Sequence, residues 1–223
     1  MAKNIKGIIF DFDGLICDTE TPEVRAWEAL FLEYGFIFPF ERYQETIGAI
    51  HSDDSPFIFL EEMLGHNVDQ FAVKEDFLKY RNELIEAEPM RPGILSYLKE
   101  AKNEGLQIGL ASSSPRSWID HHLCRFGIMD YFGCIKTCND VVKTKPDPEL
   151  YLKSLECMRL EGHEVVALED SPNGVTAAKN AGIYAAVFPN EVTSIYEFSN
   201  ADLVIKSLEE MPFKELLRFF IIL

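Results

Sequence analysis

A doubly wound, Rossmann-like parallel α/β sheet with an inserted α-helical domain is the architecture this sequence predicts, on three observations. Short apolar runs rich in β-branched residues alternate with helical patterns from residue 89 onward, the rhythm of a parallel sheet covered on both faces. Residues 20–88 break that rhythm, because they carry helical patterns and no convincing strand. The first apolar run ends abruptly in two aspartates, Asp11 and Asp13, followed by Gly14. The predicted organisation is a core of residues 1–18 and 89–223 with a helical cap domain of residues 19–88 between its two parts.

Taken in order, Gly7–Phe10 is the first strand. Residues two apart in an extended segment point the same way, so Asp11 and Asp13 face one pocket at the strand's end. Two like charges so close are unfavourable unless a cation or a proton is shared. Pro22–Tyr34, about Ser55–Leu64 and Gln70–Ala87 are the inserted helices, closed off by Glu88-Pro89 and Pro92-Gly93. An insertion that enters and leaves beside the aspartates is placed to act as a lid.

Ile94–Glu104 is helical, with Leu95, Leu98 and Ala101 on one face and Gly105 as its stop. Strand Leu106–Ala111 follows, then helix Pro115–Phe126 opened by a proline, and a weaker strand around Cys134–Thr137. Helix Pro148–Glu156, strand Val165–Leu168, helix Pro172–Ala181, and strands Tyr184–Phe188 and Asp202–Ile205 complete the alternation. The apolar end, Phe219 to Leu223, finishes an amphipathic helix starting near Pro212, with a dimer contact as the alternative.

Bulk properties narrow the class. The chain has 223 residues, 47% hydrophobic and 26% charged, enough for one sizeable core plus a smaller inserted domain. A formal net charge of −16 argues against a nucleic-acid partner, which requires a basic surface. An anionic substrate then needs local positive charge from the site itself. No apolar run approaches the roughly 18 residues of a membrane span, and Met1-Ala2-Lys3-Asn4 runs into the first strand without a signal-peptide pattern. The five cysteines lack a metal-ligand spacing and are expected as reduced, mostly buried thiols of a cytoplasmic protein. The expected assembly is a monomer or weak homodimer.

Four segments end strands with residues of one chemical theme. They are Asp11-Phe12-Asp13-Gly14, Ser112-Ser113-Ser114-Pro115, Lys143-Thr144-Lys145-Pro146-Asp147-Pro148 and Glu169-Asp170-Ser171-Pro172-Asn173-Gly174. Singly, each has an ordinary structural explanation: serine N-caps, a surface turn, an acidic N-cap. Pooled, they offer carboxylates for a hard cation, a lysine, and hydroxyl and backbone donors at a helix N-terminus. Ligands of open α/β sheets bind at these strand ends. Mg²⁺ takes one or two carboxylates together with substrate phosphate oxygens, and lysine plus helix N-terminus neutralises the rest of a phosphoryl group. One aspartate is left over as a nucleophile.

In this order and spacing the segments resemble the four motifs of the haloacid dehalogenase superfamily of phosphohydrolases, over nearly the whole chain. The insertion resembles the cap of a subgroup that includes β-phosphoglucomutase, phosphoglycolate phosphatase and many sugar-phosphate phosphatases. The resemblance implies that Asp11 attacks phosphorus to give an aspartyl-phosphate. It implies that Asp13 protonates the leaving alkoxide and then activates water. Ser112, backbone donors around Ser113, and Lys145 would hold the phosphoryl group. Asp170, with Glu169, would complete a Mg²⁺ site with Asp11 and the backbone carbonyl of Asp13. Asp18 and Thr19 match the hinge into the cap and are taken as structural.

Two departures narrow the choice further. Mutases of the subgroup carry a histidine where this chain has Glu23 and a cap-loop arginine where it has His51, in Gly48–Ser55. His51 is the substrate-contact candidate there, an ordinary loop histidine being the alternative. The expectation is a Mg²⁺-dependent phosphatase of a small phosphorylated metabolite, a sugar or polyol phosphate. A phosphosugar mutase is the rival from the same fold, and a non-catalytic regulatory module the rival from another class.

Overall fold

Six strands, β1 (Gly7–Phe10), β2 (Gln107–Ala111), β3 (Cys134–Lys136), β4 (Val165–Glu169), β5 (Tyr184–Val187) and β6 (Leu203–Val204), form one sheet. It is parallel throughout, in the order β3-β2-β1-β4-β5-β6. The computed structural model describes residues 4–46 and 55–222. Its helices are α1 (Glu20–Glu33), α2 (Phe40–Thr46), α3 (Pro56–Leu64), α4 (Gln70–Ala87), α5 (Ile94–Asn103), α6 (Arg116–Phe126), α7 (Glu149–Met158), α8 (Pro172–Asn180) and α9 (Phe213–Ile222). The chain divides into two units, Met1–Cys17 with Met90–Leu223, and Asp18–Pro89.

β1 sits at the centre because all four of its residues are buried, as a strand covered on both faces requires. Ile9 lies in register with Gly109 on one side and Ala167 on the other. The chain winds outward from β1 through β2 to β3, then returns to β4 on β1's other side. The loops therefore part between β1 and β4, the switch point at which such sheets bind ligands. One face carries Ile9, Ala167, Ala185 and Val187 against Leu150, Leu155, Val175 and Ala178 of α7 and α8. Elsewhere in this unit Tyr97 of α5 meets Phe188 and Phe213 edge-on and donates to the Met211 carbonyl at 2.6 Å. Leu98, Phe213 and Phe220 are wholly buried, each worth about 1.5–3 kcal/mol in apolar burial.

The helical unit has an aromatic core of its own. Trp27 of α1 stacks on Phe77 of α4 with centroids 4.0 Å apart and packs edge-on against Phe31 and Phe57. Asp69 caps α4, accepting from the backbone N–H groups of Phe71 and Ala72. Asp18 accepts from the backbone and hydroxyl of Thr21 at 3.0 and 2.8 Å, fixing the entry to α1. Glu23 accepts from the Tyr43 hydroxyl at 3.0 Å. Among the described residues, no helix is long and apolar enough to cross a membrane.

The structure departs from the sequence expectations at three points. α2 lies in the insertion where no helix is expected from the sequence. The cysteines are not all reduced: Cys134 of β3 and Cys157 of α7 form a disulfide with Cα atoms 6.2 Å apart. Packing of α7 on β3 brings together thiols 23 residues apart, which spacing along the chain does not reveal. Nor are the free thiols mostly buried: Cys17 is, Cys138 is half-buried, and Cys124 is exposed.

Candidate active site

Each sheet strand from β3 to β5 delivers a polar side chain at its end or in the loop that follows it. Asp11 follows β1, Ser112 follows β2, Lys145 lies in the loop after β3, Glu169 closes β4 with Asp170 next, and Asn190 follows β5. Parallel pairing puts all of these carboxyl ends on one edge of the sheet, so residues far apart in sequence converge.

Lys145 links the acidic groups. Its Nζ lies 2.6 Å from Asp11 Oδ1 and 2.7 Å from Glu169 Oε1, with all three side chains nearly shut off from solvent. Burial alone would lower the lysine's pKa, but the two carboxylates hold it above the usual lysine range. The Tyr151 hydroxyl of α7 donates to Glu169 Oε1. Burial pushes the Asp11 carboxyl up to about 8; Lys145 opposes this, while Glu169 and Asp13 add to it.

Asp170 is reached only because Gly14 has no side chain. A Cβ there would stand 1.9 Å from Asp170 Oδ2, and Gly14 has φ +78°. Asn190 donates to the same Oδ2 at 2.9 Å, and its own carbonyl oxygen is fixed by the N–H groups of Val192 and Thr193. Gly174, in the first turn of α8, has the same role for Glu169, whose Oε2 lies 1.9 Å from where a Cβ would be. The Arg91 guanidinium donates to the carbonyls of Gly14, Phe188 and Pro189, holding the loop after β1 against the loop after β5.

Asp11, Glu169 and Asp170 can hold a metal ion: one oxygen from each lies within 4.8 Å of the others, and all three residues are buried. The donor set is all oxygen, which suits a hard divalent cation. Glu169 Oε2 is buried without a hydrogen-bond partner, an arrangement that costs free energy unless a cation satisfies it. The Asp11 carboxyl, raised by burial and neighbouring carboxylates, is also the kind of group a cation ionises.

Asp13 points elsewhere. Its Oδ2 accepts from the hydroxyls of Ser112 at 3.1 Å and Ser114 at 2.7 Å, and its Oδ1 from the Trp118 indole N–H at 3.1 Å. Ser112 in turn accepts from the Ser114 backbone N–H at 2.9 Å. Two aspartates two residues apart thus have different surroundings, one among a lysine and carboxylates, the other among neutral donors. The structure brings together Asp11, Asp13, Ser112, Lys145, Glu169 and Asp170. Ser113 is exposed beside them. His51 and the cap loop Gly48–Asp54 lie outside the described residues.

Sequence reasoning missed Trp118, Tyr151, Arg91 and Asn190. Asn190 had a usable signal, since it follows a predicted strand as the recognised residues do. Trp118 had none, because its helix reads as an ordinary amphipathic one.

The model of the haloacid dehalogenase-like hydrolases matches residues 8–188. Across 217 residues the chain is 41% identical to YhcW of Bacillus subtilis (strain 168), provisionally named a phosphatase, covering 96% of each chain. It is 29% identical to the "Phosphorylated carbohydrates phosphatase" of Thermotoga maritima, covering 80% of this chain and 82% of the other. A solved Thermotoga maritima structure provisionally described as a beta-phosphoglucomutase superposes with a TM-score of 0.79 at 26% identity, covering 96% of this chain and 99% of that one.

Proposed function

The chain belongs to the haloacid dehalogenase-like hydrolases, and from that premise we propose that this phosphatase hydrolyses phosphate monoesters of small sugars or polyols through an aspartyl-phosphate on Asp11, with Mg²⁺ as its metal. The observation that carries the reading is the divided surroundings of the two aspartates. Asp11 sits against Lys145 within the buried acidic cluster, whereas Asp13 stands apart among hydroxyl and indole donors.

In the first step an Asp11 carboxylate oxygen forms a bond to phosphorus while the bond from phosphorus to the ester oxygen breaks. Asp13 gives its proton to that leaving oxygen. In the second step water attacks phosphorus, Asp13 takes the water's proton, and inorganic phosphate leaves Asp11 free. Lys145 and the donors at Ser112 and Ser113 stabilise charge on the phosphoryl oxygens. Asp11, Glu169, Asp170 and the Asp13 carbonyl would hold the Mg²⁺, which supplies charge neutralisation at the phosphoryl group. The helical unit would act as the cap that sets the substrate, His51 included.

Sugar and polyol phosphates are the proposed class because a relative of this length is named for phosphorylated carbohydrates. Asp13 argues for ester hydrolysis over dehalogenation, since a halide leaves without a proton. The mutase reading is favoured by a relative of 30% identity named a beta-phosphoglucomutase and by a structural neighbour provisionally described as one, and disfavoured by Glu23 and His51 at the two mutase positions.

The test is a panel of phosphorylated metabolites assayed with Mg²⁺ and after chelation, with β-glucose 1-phosphate plus a bisphosphate primer included. Phosphate release that needs the metal supports the phosphatase. Primed conversion to the 6-phosphate without net phosphate release would make it a mutase. Silence across the panel, from folded protein that binds Mg²⁺, would favour a regulatory module.

A further inference from the structure

Trp118 has no part in the phosphoryl-transfer steps above, yet it touches one of their central groups. It lies in the first turn of α6, half-buried, and its indole N–H reaches Asp13 Oδ1 at 3.1 Å. The two hydroxyl donors, Ser112 and Ser114, hold the opposite oxygen. The carboxylate is therefore gripped at both ends, which fixes its plane as well as its place.

The indole differs in kind from the hydroxyls. A hydroxyl rotates and can either donate or accept, whereas an indole N–H only donates, along one fixed direction. Trp118 therefore holds Oδ1 along one direction, while the rotatable serine hydroxyls at Oδ2 can adjust as the carboxyl gains or gives up a proton. The ring is itself held in place. It meets His122 edge-on with centroids 4.2 Å apart, and His122 is buried and stacked on Phe12, the residue between the two aspartates. The indole and the aspartate it binds thus share one rigid support.

We propose that Trp118 is a positioning residue for Asp13, its indole N–H setting the carboxyl in the orientation from which it delivers a proton to the leaving oxygen. The proposal rests on the reading of Asp13 as the acid. It concerns the step in which the ester P–O bond breaks and the proton passes from Asp13 to the departing oxygen. Orientation counts most where that proton is needed, because a poorly aligned acid loses its share of transition-state stabilisation.

The test compares phenyl phosphate with p-nitrophenyl phosphate, two substrates of similar shape. Phenolate leaves poorly without a proton; p-nitrophenolate leaves well. The kcat/KM ratio reports the steps up to leaving-group release. Trp118→Phe keeps the ring and removes the N–H. It should lower kcat/KM for phenyl phosphate about tenfold, the effect of losing one hydrogen bond to a charged group, and leave p-nitrophenyl phosphate within about twofold. An equal fall for both substrates, or none for either, overturns the proposal.

Asp13→Asn separates this from its premise. If that variant shows no leaving-group selectivity, Asp13 is not the acid and the premise fails. If it is selective and Trp118→Phe is not, only the role of Trp118 fails. A second measurement does not depend on the tryptophan variant folding. The chain has 2 tryptophans, so the indole N–H resonances of Trp27 and Trp118 are readily told apart. Asp13→Asn should move the Trp118 resonance and leave Trp27 in place; an unmoved Trp118 resonance would overturn the proposal as well.

Discussion

Gly14 shows how closely the site is built, because two independent constraints meet at one residue. Its φ of +78° disfavours a side chain, and a Cβ would overlap Asp170 Oδ2 at 1.9 Å. Gly14→Ala should therefore displace Asp170 and lower Mg²⁺ affinity more than tenfold by calorimetry, with a stability loss of about 1–3 kcal/mol. Asp11→Asn is the complementary change, since it preserves shape and removes the proposed nucleophile. Phosphate release should fall about a thousandfold or more while the protein stays folded; turnover near the normal rate would remove Asp11 from its role. Both residues were legible in the sequence for the same reason. A strand end that carries Asp-x-Asp-Gly has little structural use for that combination; Ser112, Glu169 and Asp170 stand at strand ends in the same way, and Lys145 lies in the loop after β3. Trp118, Tyr151 and Arg91 were not legible. Each acts through a contact fixed by tertiary packing, such as the approach of α7 that sets Tyr151 against Glu169.

Among the elements, those with a strong period were readable and those without one were not. β1 and the Val165–Leu168 part of β4 are apolar runs of the kind a sheet buried on both faces requires. α4, from Gln70 to Ala87, is long enough for its helical pattern to mark both ends. α2 is 7 residues, Phe-Glu-Arg-Tyr-Gln-Glu-Thr, too short to show an apolar stripe. The Cys134–Cys157 bridge was hidden because its partners lie on different elements. α4 also carries a prediction. Asp69 satisfies two backbone donors at its start, from Phe71 at 3.1 Å and Ala72 at 3.3 Å. Asp69→Ala should destabilise the protein by about 1 kcal/mol, read as a lower urea midpoint at unchanged slope. Because α4 supplies Phe77 to the stack on Trp27, the loss should appear in tryptophan fluorescence at the same urea concentration as in far-ultraviolet dichroism.

For the whole molecule, stability and the proposed metal would be linked through protons. Four carboxylates and one lysine converge on one edge of the sheet of a chain already at −16. Burial raises Asp11 from its ordinary 3.8 to about 8. Without metal, the folded state then binds a proton that the unfolded state has lost. The stability this group contributes is complete below its ordinary value and disappears as pH rises through about 8. A divalent cation at the proposed site of Asp11, Glu169 and Asp170 would displace that proton, so its apparent affinity should rise with pH until Asp11 ionises unaided. A fixed Mg²⁺ concentration should therefore raise Tm more at about pH 7.5 than at about pH 5.5, by mass action on the folded state. Asp11→Asn, which has no carboxyl proton to displace, should flatten that dependence. A Mg²⁺-induced Tm shift that is the same at both pH values in the unaltered protein would mean that Asp11 is ionised before the metal arrives, and that Lys145 alone suffices to hold its charge in the buried site.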